Sequence, residues 1–258
     1  NISGGTVTAD AITTAGGNVA LTSTTGDITA LAITTTAAIG GDIMLDSAGD
    51  ITAAAITATG AAGAGGNIIL HAVSDISTTD ADIDTTAVGG AGGAIGVISE
   101  FGDVDLENVI TTGDDANAGG ELIVNALNGT LIIESATTTG GATGAGANQA
   151  YTATNIQLGE DGDTFDASAG GGAAAAGNIT VTGSSIRLDS AIAFSTLGAG
   201  AGVDGAIDLS GAVNGNAAGT ESLTLSADTG TISVDSIGQA KALGGFTVSA
   251  GTGTTNLD

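Results

Sequence analysis

The sequence has no cysteine and no proline, 2% aromatic residues, and only two basic residues, Arg187 and Lys241. Without cysteine there is no disulfide framework and no thiol chemistry. Without proline, no strand loses a backbone hydrogen-bond donor. Because aromatic residues are so scarce, the hydrophobic 42% of the chain is mostly Ala, Ile, Val and Leu. We therefore expect a thin, layered core.

The shortage of basic residues stands against 28 acidic ones and gives a net charge of -26. A protein that binds nucleic acid or an anionic membrane surface neutralises phosphates with Lys and Arg, so both are excluded as direct partners. No apolar run approaches the roughly 18 residues of a membrane span, so membrane insertion is not expected, and no signal peptide is visible. Divalent cations and basic partners remain open.

Glycine is abundant, with 46 residues, and much of it belongs to a repeat. Copies that open with Gly-Gly or Gly-Asn recur about every 24 to 27 residues, which is typical of a solenoid. Within the first full copy, Val19 and Leu21, then Ile28 and Ala30, alternate with outward residues, and Ile33 anchors a third segment. The sequence predicts an all-β fold, a right-handed parallel β-helix of about nine to ten coils of roughly 25 residues.

We interpret residues 1–258 as a single solenoid array, in which residues 198–219 are the least regular part. Beyond that part, segments 222–225 and 245–248 resemble the opening strand of a copy, and segment 232–234 resembles the second strand. The first residues lack an initiator Met, and segment 12–14 already matches the third part of a copy. We therefore expect the chain to be a fragment of a longer protein.

The repeat pairs a Gly-(Asn/Asp)-Ile-x-Leu segment with a following Gly-Asp-Ile segment. The clearest copies are 17–21 with 26–28, 41–45 with 49–51, and 66–70 with 74–76. This pattern resembles the repeats of filamentous haemagglutinin-like exoproteins and related giant bacterial surface proteins. The resemblance implies a secreted, rod-forming β-helix that serves adhesion or surface structure, located outside the cell or on its surface.

Acidic residues recur at the corner before the second strand. The four aspartates at this corner are Asp27, Asp50, Asp75 and Asp103. Stacked in a column, their charges would lie about 5 Å apart and repel one another. Two hypotheses account for such a column: each carboxylate accepts a hydrogen bond from the next backbone amide, as in an Asx-turn, or calcium ions bridge the carboxylates. Thr130, Ser185 and Thr231, which are poor calcium ligands, occupy the corner in later copies.

A second acidic segment, residues 159–166, reads Gly-Glu-Asp-Gly-Asp-Thr-Phe-Asp. It resembles one copy of the nonapeptide repeat of calcium-binding β-rolls, in which successive copies share ions. A single calcium ion would here be held by Asp161, Asp163 and Asp166, and the alternative is an ordinary acidic turn. Calcium is the one cofactor that the sequence suggests.

Threonines mark the third segment of the repeat and predict a flat hydroxyl face. Its strict Thr-x-Thr pairs are Thr34 with Thr36, Thr57 with Thr59, and Thr137 with Thr139. A regular Thr-x-Thr array on a flat β-helix can bind ice, which makes ice binding an alternative function. Asp84 interrupts the array, and threonine is also common in exposed strands for its β-propensity alone.

An enzyme is not expected. The single histidine, His71, belongs to no metal-ligand cluster in the sequence, and two basic residues are too few for a polysaccharide lyase. Paired acids such as Asp103 and Asp105 keep a glycan-binding or glycan-degrading β-helix as an alternative, with surface polysaccharide as its partner. The sequence favours a structural segment of a secreted surface fibre, sheath or adhesin stalk that self-associates into filaments.

Overall fold

The computed structural model describes residues 1–78, 81–159 and 163–257. They form a parallel β-solenoid of about 9 coils of roughly 27 residues, which confirms the predicted architecture with slightly longer coils. Within these ranges there is no helix, and so none that could cross a membrane. The strands in chain order are β1 (Ile2–Gly4), β2 (Val7–Thr13), β3 (Val19–Ser23), β4 (Ile28–Thr34), β5 (Ile43–Ser47), β6 (Ile51–Thr57), β7 (Ile68–Ala72), β8 (Ile76–Thr78), β9 (Ile83–Asp84), β10 (Ile95–Ser99), β11 (Val104–Ile110), β12 (Leu122–Thr137), β13 (Gln149–Leu158), β14 (Thr164–Asp166), β15 (Ile179–Leu188), β16 (Ile192–Ser195), β17 (Ile207–Gly215), β18 (Ser222–Ser226), β19 (Ile232–Ile237), β20 (Gly245–Ser249) and β21 (Thr255–Leu257).

These strands stack in register into three parallel sheets that run along the solenoid axis. The first sheet contains the opening strand of each coil, from β1 and β3 through β5, β7 and β10 to β21. Strands such as β4 and β6 bend once and contribute to the second and third sheets. The longest strand, β12, belongs to all three, because Leu122 pairs with the first sheet, Leu131 with the second and Ala136 with the third.

Each sheet turns one ladder of apolar side chains inward, as its period of two requires. Stacking coils bury these ladders together, at about 1.5 to 3 kcal/mol for each large side chain. The three ladders are Leu21, Leu45, Leu70, Val97, Val124, Tyr151, Val181, Leu209 and Val234; Ile28, Ile51, Ile76, Val104, Leu131, Ile156, Ile186 and Val213; and Ile33, Ile56, Ile83, Val109, Ala136, Phe165, Phe194 and Leu225.

The scarce aromatic residues are concentrated in one part of this core. Tyr151 and Phe165 meet edge to face with ring centroids 5.8 Å apart, and Phe165 stacks on Phe194 at 5.0 Å. The Tyr151 hydroxyl donates a hydrogen bond of 2.9 Å to Oε1 of the buried Gln149. Burial raises the pKa of Tyr151 well above its ordinary value, so its hydroxyl stays a donor. This cluster fills the core beside the longer corner loops of the later coils.

The later coils differ from the predicted alignment. β18 and β20 pair with β16 in the third sheet, so segments 222–225 and 245–248 are not opening strands. Ile232 pairs with Ile207 in the first sheet, so Thr231 lies at the first corner and not in the aspartate column. Alternation of apolar residues identifies a strand but not its sheet, which is why the pattern failed here. The segment 198–219 contains β17, which pairs with β15 and β19.

Glycines allow neighbouring coils to approach closely at the first corner. A Cβ at Gly93 would overlap the carbonyl oxygen of Gly66, and one at Gly66 would overlap that of Gly41. The glycine-rich loops of the third corner stack in the same way, since a Cβ at Gly170 would overlap the carbonyl of Gly141. The column at the first corner consists of Gly17, Gly41, Gly66, Gly93, Gly120, Ala147, Gly177, Gly205, Gly230 and Gly253.

Candidate functional site

The predicted aspartate column is present at the second corner. Asp27 Oδ1 accepts a hydrogen bond of 3.0 Å from the backbone N–H of Asp50, and Asp50 Oδ1 accepts one of 3.1 Å from Asp75. The column continues with bonds of 2.8 Å from Asp103 N–H to Asp75 Oδ1 and of 2.7 Å from Thr130 N–H to Asp103 Oδ1. Each carboxylate therefore bonds to the equivalent residue of the next coil, and not to its own turn.

These bonds are strong enough to offset the repulsion within the column. Two carboxylates about 5 Å apart repel by roughly 1 kcal/mol in water, and salt reduces this further. A hydrogen bond to a charged group contributes about 1.5 to 3 kcal/mol. The column is thus stable as a set of side-chain to backbone bonds without any bridging ion.

A second column of the same kind lies at the first corner and was missed in the sequence. Asn18 Oδ1 accepts from Asp42 N–H at 3.0 Å, Asp42 Oδ1 from Asn67 N–H at 2.9 Å, and Asn67 Oδ1 from Ala94 N–H at 2.9 Å. In later coils Asn178 N–H donates to Asn148 in the same way. The signal was the recurrent Asn or Asp after the opening glycine, which we treated only as part of the repeat motif.

The acidic turn at 159–166 is described in part. Asp161 lies outside the described residues. Asp163 accepts a hydrogen bond at its backbone oxygen from Ala193 N–H at 3.1 Å, and Asp166 Oδ1 accepts from Ser168 N–H at 3.0 Å. Across the described ranges no group of three or more His, Cys, Asp or Glu side chains is arranged to hold a metal ion. Calcium binding here and at the aspartate column stays a prediction.

The threonine runs divide into two sets. Thr35, between the outward Thr34 and Thr36, points inward and is fully buried. Its hydroxyl donates 2.5 Å to the carbonyl of Gly41, which opens the next strand of the first sheet. Thr85, Thr111, Thr138 and Thr196 repeat this bond in other coils. These buried hydroxyls fix the third corner, a role that the sequence did not reveal.

The outward threonines form the predicted face only in part. Thr34 pairs in register with Thr57, and the hydroxyls of Thr36 and Thr59 lie 2.8 Å apart. The third pair, Thr137 and Thr139, is separated from these by coils in which Asp84 and Ile110 take the place of Thr57. The first of the two outward columns is therefore interrupted over two coils.

The single histidine bridges three coils on the outside of the first sheet. His71 Nδ1 lies 2.8 Å from Asp46 Oδ1 on β5, and Nε2 lies 3.2 Å from Glu100 Oε1, just after β10. The hydrogen bond to Asp46 raises the pKa of the imidazole above its ordinary value. Partial burial opposes this shift, and the bond to Glu100 adds to it. The protonated ring can thus bond to a carboxylate on each side.

No protein-family model, curated protein or solved structure matches the chain. The resemblance to filamentous haemagglutinin-like exoproteins therefore rests on the repeat motif alone, while the solenoid fold rests on the strand pairing. Functional inference has to come from the surfaces of the rod itself.

Proposed function

We propose that this chain is a structural repeat segment of a secreted surface fibre, sheath or adhesin stalk, and that it self-associates into filaments. The observation that carries the proposal is the exposure of core positions at both ends of the rod. Ile2 is 49% exposed although its ladder partner Leu21 is fully buried, and Leu257 is 49% exposed beside Val234 at 3%.

The end strands β1 and β21 also present backbone groups on the side away from their single neighbour in the first sheet. Such edges pair readily with another strand. A second copy placed end to end would bury the exposed apolar residues and extend all three ladders. The role is mechanical and requires no catalysis, and the high acidity and lack of cysteine suit a rod outside the cell.

The test is electron microscopy and sedimentation of the purified chain over a range of concentrations. We expect filaments or concentration-dependent end-to-end oligomers in the wild type. The double variant Ile2→Asp, Leu257→Asp should remove them, because it places charge at both ends. Leu31→Asp is the matched control, since Leu31 is exposed in the middle of the rod. Isolated rods in the wild type, or equal assembly in the double variant, would contradict the proposal.

Ice binding is the second candidate, and the stacked pairs Thr34/Thr36 and Thr57/Thr59 favour it. Two coils give a small ice-binding surface, and the mutual contact of the Thr36 and Thr59 hydroxyls occupies part of their bonding capacity. Thermal hysteresis that is lost in Thr57→Lys would support this function. Its absence from a solution of well-folded rods would exclude it.

A further inference from the structure

The outer face of the first sheet carries a ladder of exposed aliphatic side chains. Met44, Ile69 and Ile123 point outward from β5, β7 and β12 and are 38% to 49% exposed. The equivalent outward positions of the second sheet are mostly polar, with Thr52 on β6 and Asp105 on β11. An exposed apolar stripe with polar margins is typical of an interaction site.

The ladder forms the floor of a groove along the rod. One shallow depression of about 350 Å³ lies between Asn18, Asp42 and Met44, and a second of about 390 Å³ lies between Ala94, Glu121 and Ile123. The two share Asn67 and Ile69, so they join into one groove that extends from β3 to β12.

Gly96 makes a notch in the floor of this groove, between Ile69 and Ile123. A Cβ at Gly96 would meet nothing within 4 Å, and its φ is not positive. Among the described glycines with ordinary φ, it is alone in having open space at the Cβ position. Neither backbone strain nor coil stacking explains a glycine here, and glycine weakens a strand. The missing side chain instead shapes the surface.

Acidic residues stand on both margins of the groove. Asp42 and Glu121 precede their strands on one side, and both are exposed. Asp46 and Glu100 lie on the other side, where they bond to His71. The only basic residues of the whole chain, Arg187 and Lys241, are in later coils. A ligand with positive charge along both flanks would match these margins.

From this geometry we infer that the groove binds an amphipathic α-helix of a partner protein, with aliphatic side chains on one face and Lys or Arg on both flanks. The backbone of the first sheet is bonded from coil to coil, so the face offers side chains only. Coils repeat about every 4.8 Å. A helix lying along the axis presents a side chain about every 5.4 Å, whereas an extended peptide presents one about every 6.6 to 6.8 Å.

The helix therefore matches the ladder better over three or four coils, with one aliphatic side chain inserted into the Gly96 notch. A second copy of this chain fits the face poorly, because the described residues contain no helix and two rods of charge -26 repel. The inference is independent of filament formation, which uses the ends of the rod.

The probe is a synthetic peptide of about 18 residues with Leu at the i, i+3, i+4 and i+7 spacing and Lys on both flanks. The control peptide has the same composition with shuffled positions, so it keeps the charge but loses the apolar face. Binding is measured by fluorescence anisotropy in about 0.15 M salt, where bulk attraction is screened. We expect the patterned peptide to bind at least about tenfold more tightly than the shuffled one.

The decisive variant is Gly96→Val, which fills the notch. We expect it to weaken peptide binding by about tenfold or more, while the thermal unfolding temperature stays equal or rises because valine favours strands. Ala193→Val is the matched control, since Ala193 points outward from β16 on the third sheet. Asp42→Asn with Glu121→Gln should weaken binding severalfold and reduce its salt dependence.

Three results would overturn the inference: equal binding of the shuffled peptide, unchanged binding by Gly96→Val, or no binding at all. Side-by-side dimers that Gly96→Val abolishes would assign the groove to a second copy. Chemical-shift changes at Met44 and Ile69 with a neutral oligosaccharide, and none with the peptide, would assign it to a glycan. Both of these also contradict the helix.

Discussion

At the residue scale, Asp75 shows how one side chain ties successive coils together. Its N–H donates to Asp50 Oδ1 in one neighbouring coil, while its own Oδ1 accepts from Asp103 N–H in the other. Only Asp and Asn hold a carbonyl oxygen at this short reach, which explains why the first corner uses both. At these positions the acceptor oxygen matters more for the fold than the negative charge.

We therefore expect Asp75→Asn to change the free energy of unfolding very little, because the amide oxygen replaces the carboxylate as acceptor. Asp75→Ala should cost about 1 kcal/mol, since it removes a hydrogen bond whose donor is then left to water. Urea denaturation of the two variants measures both values. An equal loss in Asp75→Asn and Asp75→Ala would show that the charge is required, as for a bound cation.

His71 should make stability depend on pH. Its pKa is raised in the folded state by Asp46 and Glu100. The resulting stabilisation is fully present below the ordinary histidine pKa of about 6.5, and it is lost as the pH rises through the folded value. The stability difference between wild type and His71→Gln should thus be larger at pH 5.5 than at pH 8.5.

The NMR titration of the imidazole checks the same prediction directly. Asp46→Asn should lower the folded pKa toward its ordinary value, because it removes the stronger of the two acceptors. A wild-type titration at or below the ordinary value would refute the bridge between coils.

At the scale of the element, the strands could be predicted and the corners could not. Alternating pairs such as Val19 and Leu21 fixed the strands, because only one register buries one face. The inward Thr35 and the outward Thr34 look alike in sequence, and which hydroxyl finds a carbonyl depends on the path of the corner. Gly96 looks like every other glycine, because the space around a Cβ is a property of the stacked coils.

Two glycines of the same coil should respond oppositely to alanine. In Gly93→Ala the new methyl overlaps the backbone of Gly66, so the coils must separate and we expect a loss of at least about 1 to 3 kcal/mol. In Gly96→Ala the methyl enters open space, and we expect a gain of about 0.5 to 1 kcal/mol from reduced chain entropy. Denaturant unfolding of both variants measures this, and losses of similar size would contradict the stacking.

At the scale of the whole molecule, stability is the sum of many similar contacts between neighbouring coils, set against one large charge. Each added coil buries three rungs of the inward ladders, and most added coils also bring acidic side chains to the surface. The ladders act over contact distances, whereas the charges act over a Debye length of about 30 Å at 0.01 M salt and about 8 Å at 0.15 M. Salt should therefore weaken the repulsion and leave the core unchanged.

We expect the thermal unfolding temperature to rise by several degrees between about 0.01 M and about 0.15 M NaCl, since screening relieves the self-repulsion of a chain with charge -26. Calcium and magnesium chloride at one ionic strength should then act alike, because backbone amides already satisfy the aspartate column. A larger shift with calcium, reversed by EGTA, would instead show that these carboxylates or the turn at 159–166 bind the ion. Asp75→Asn would separate those two sites, because it removes charge from the column and leaves the turn intact.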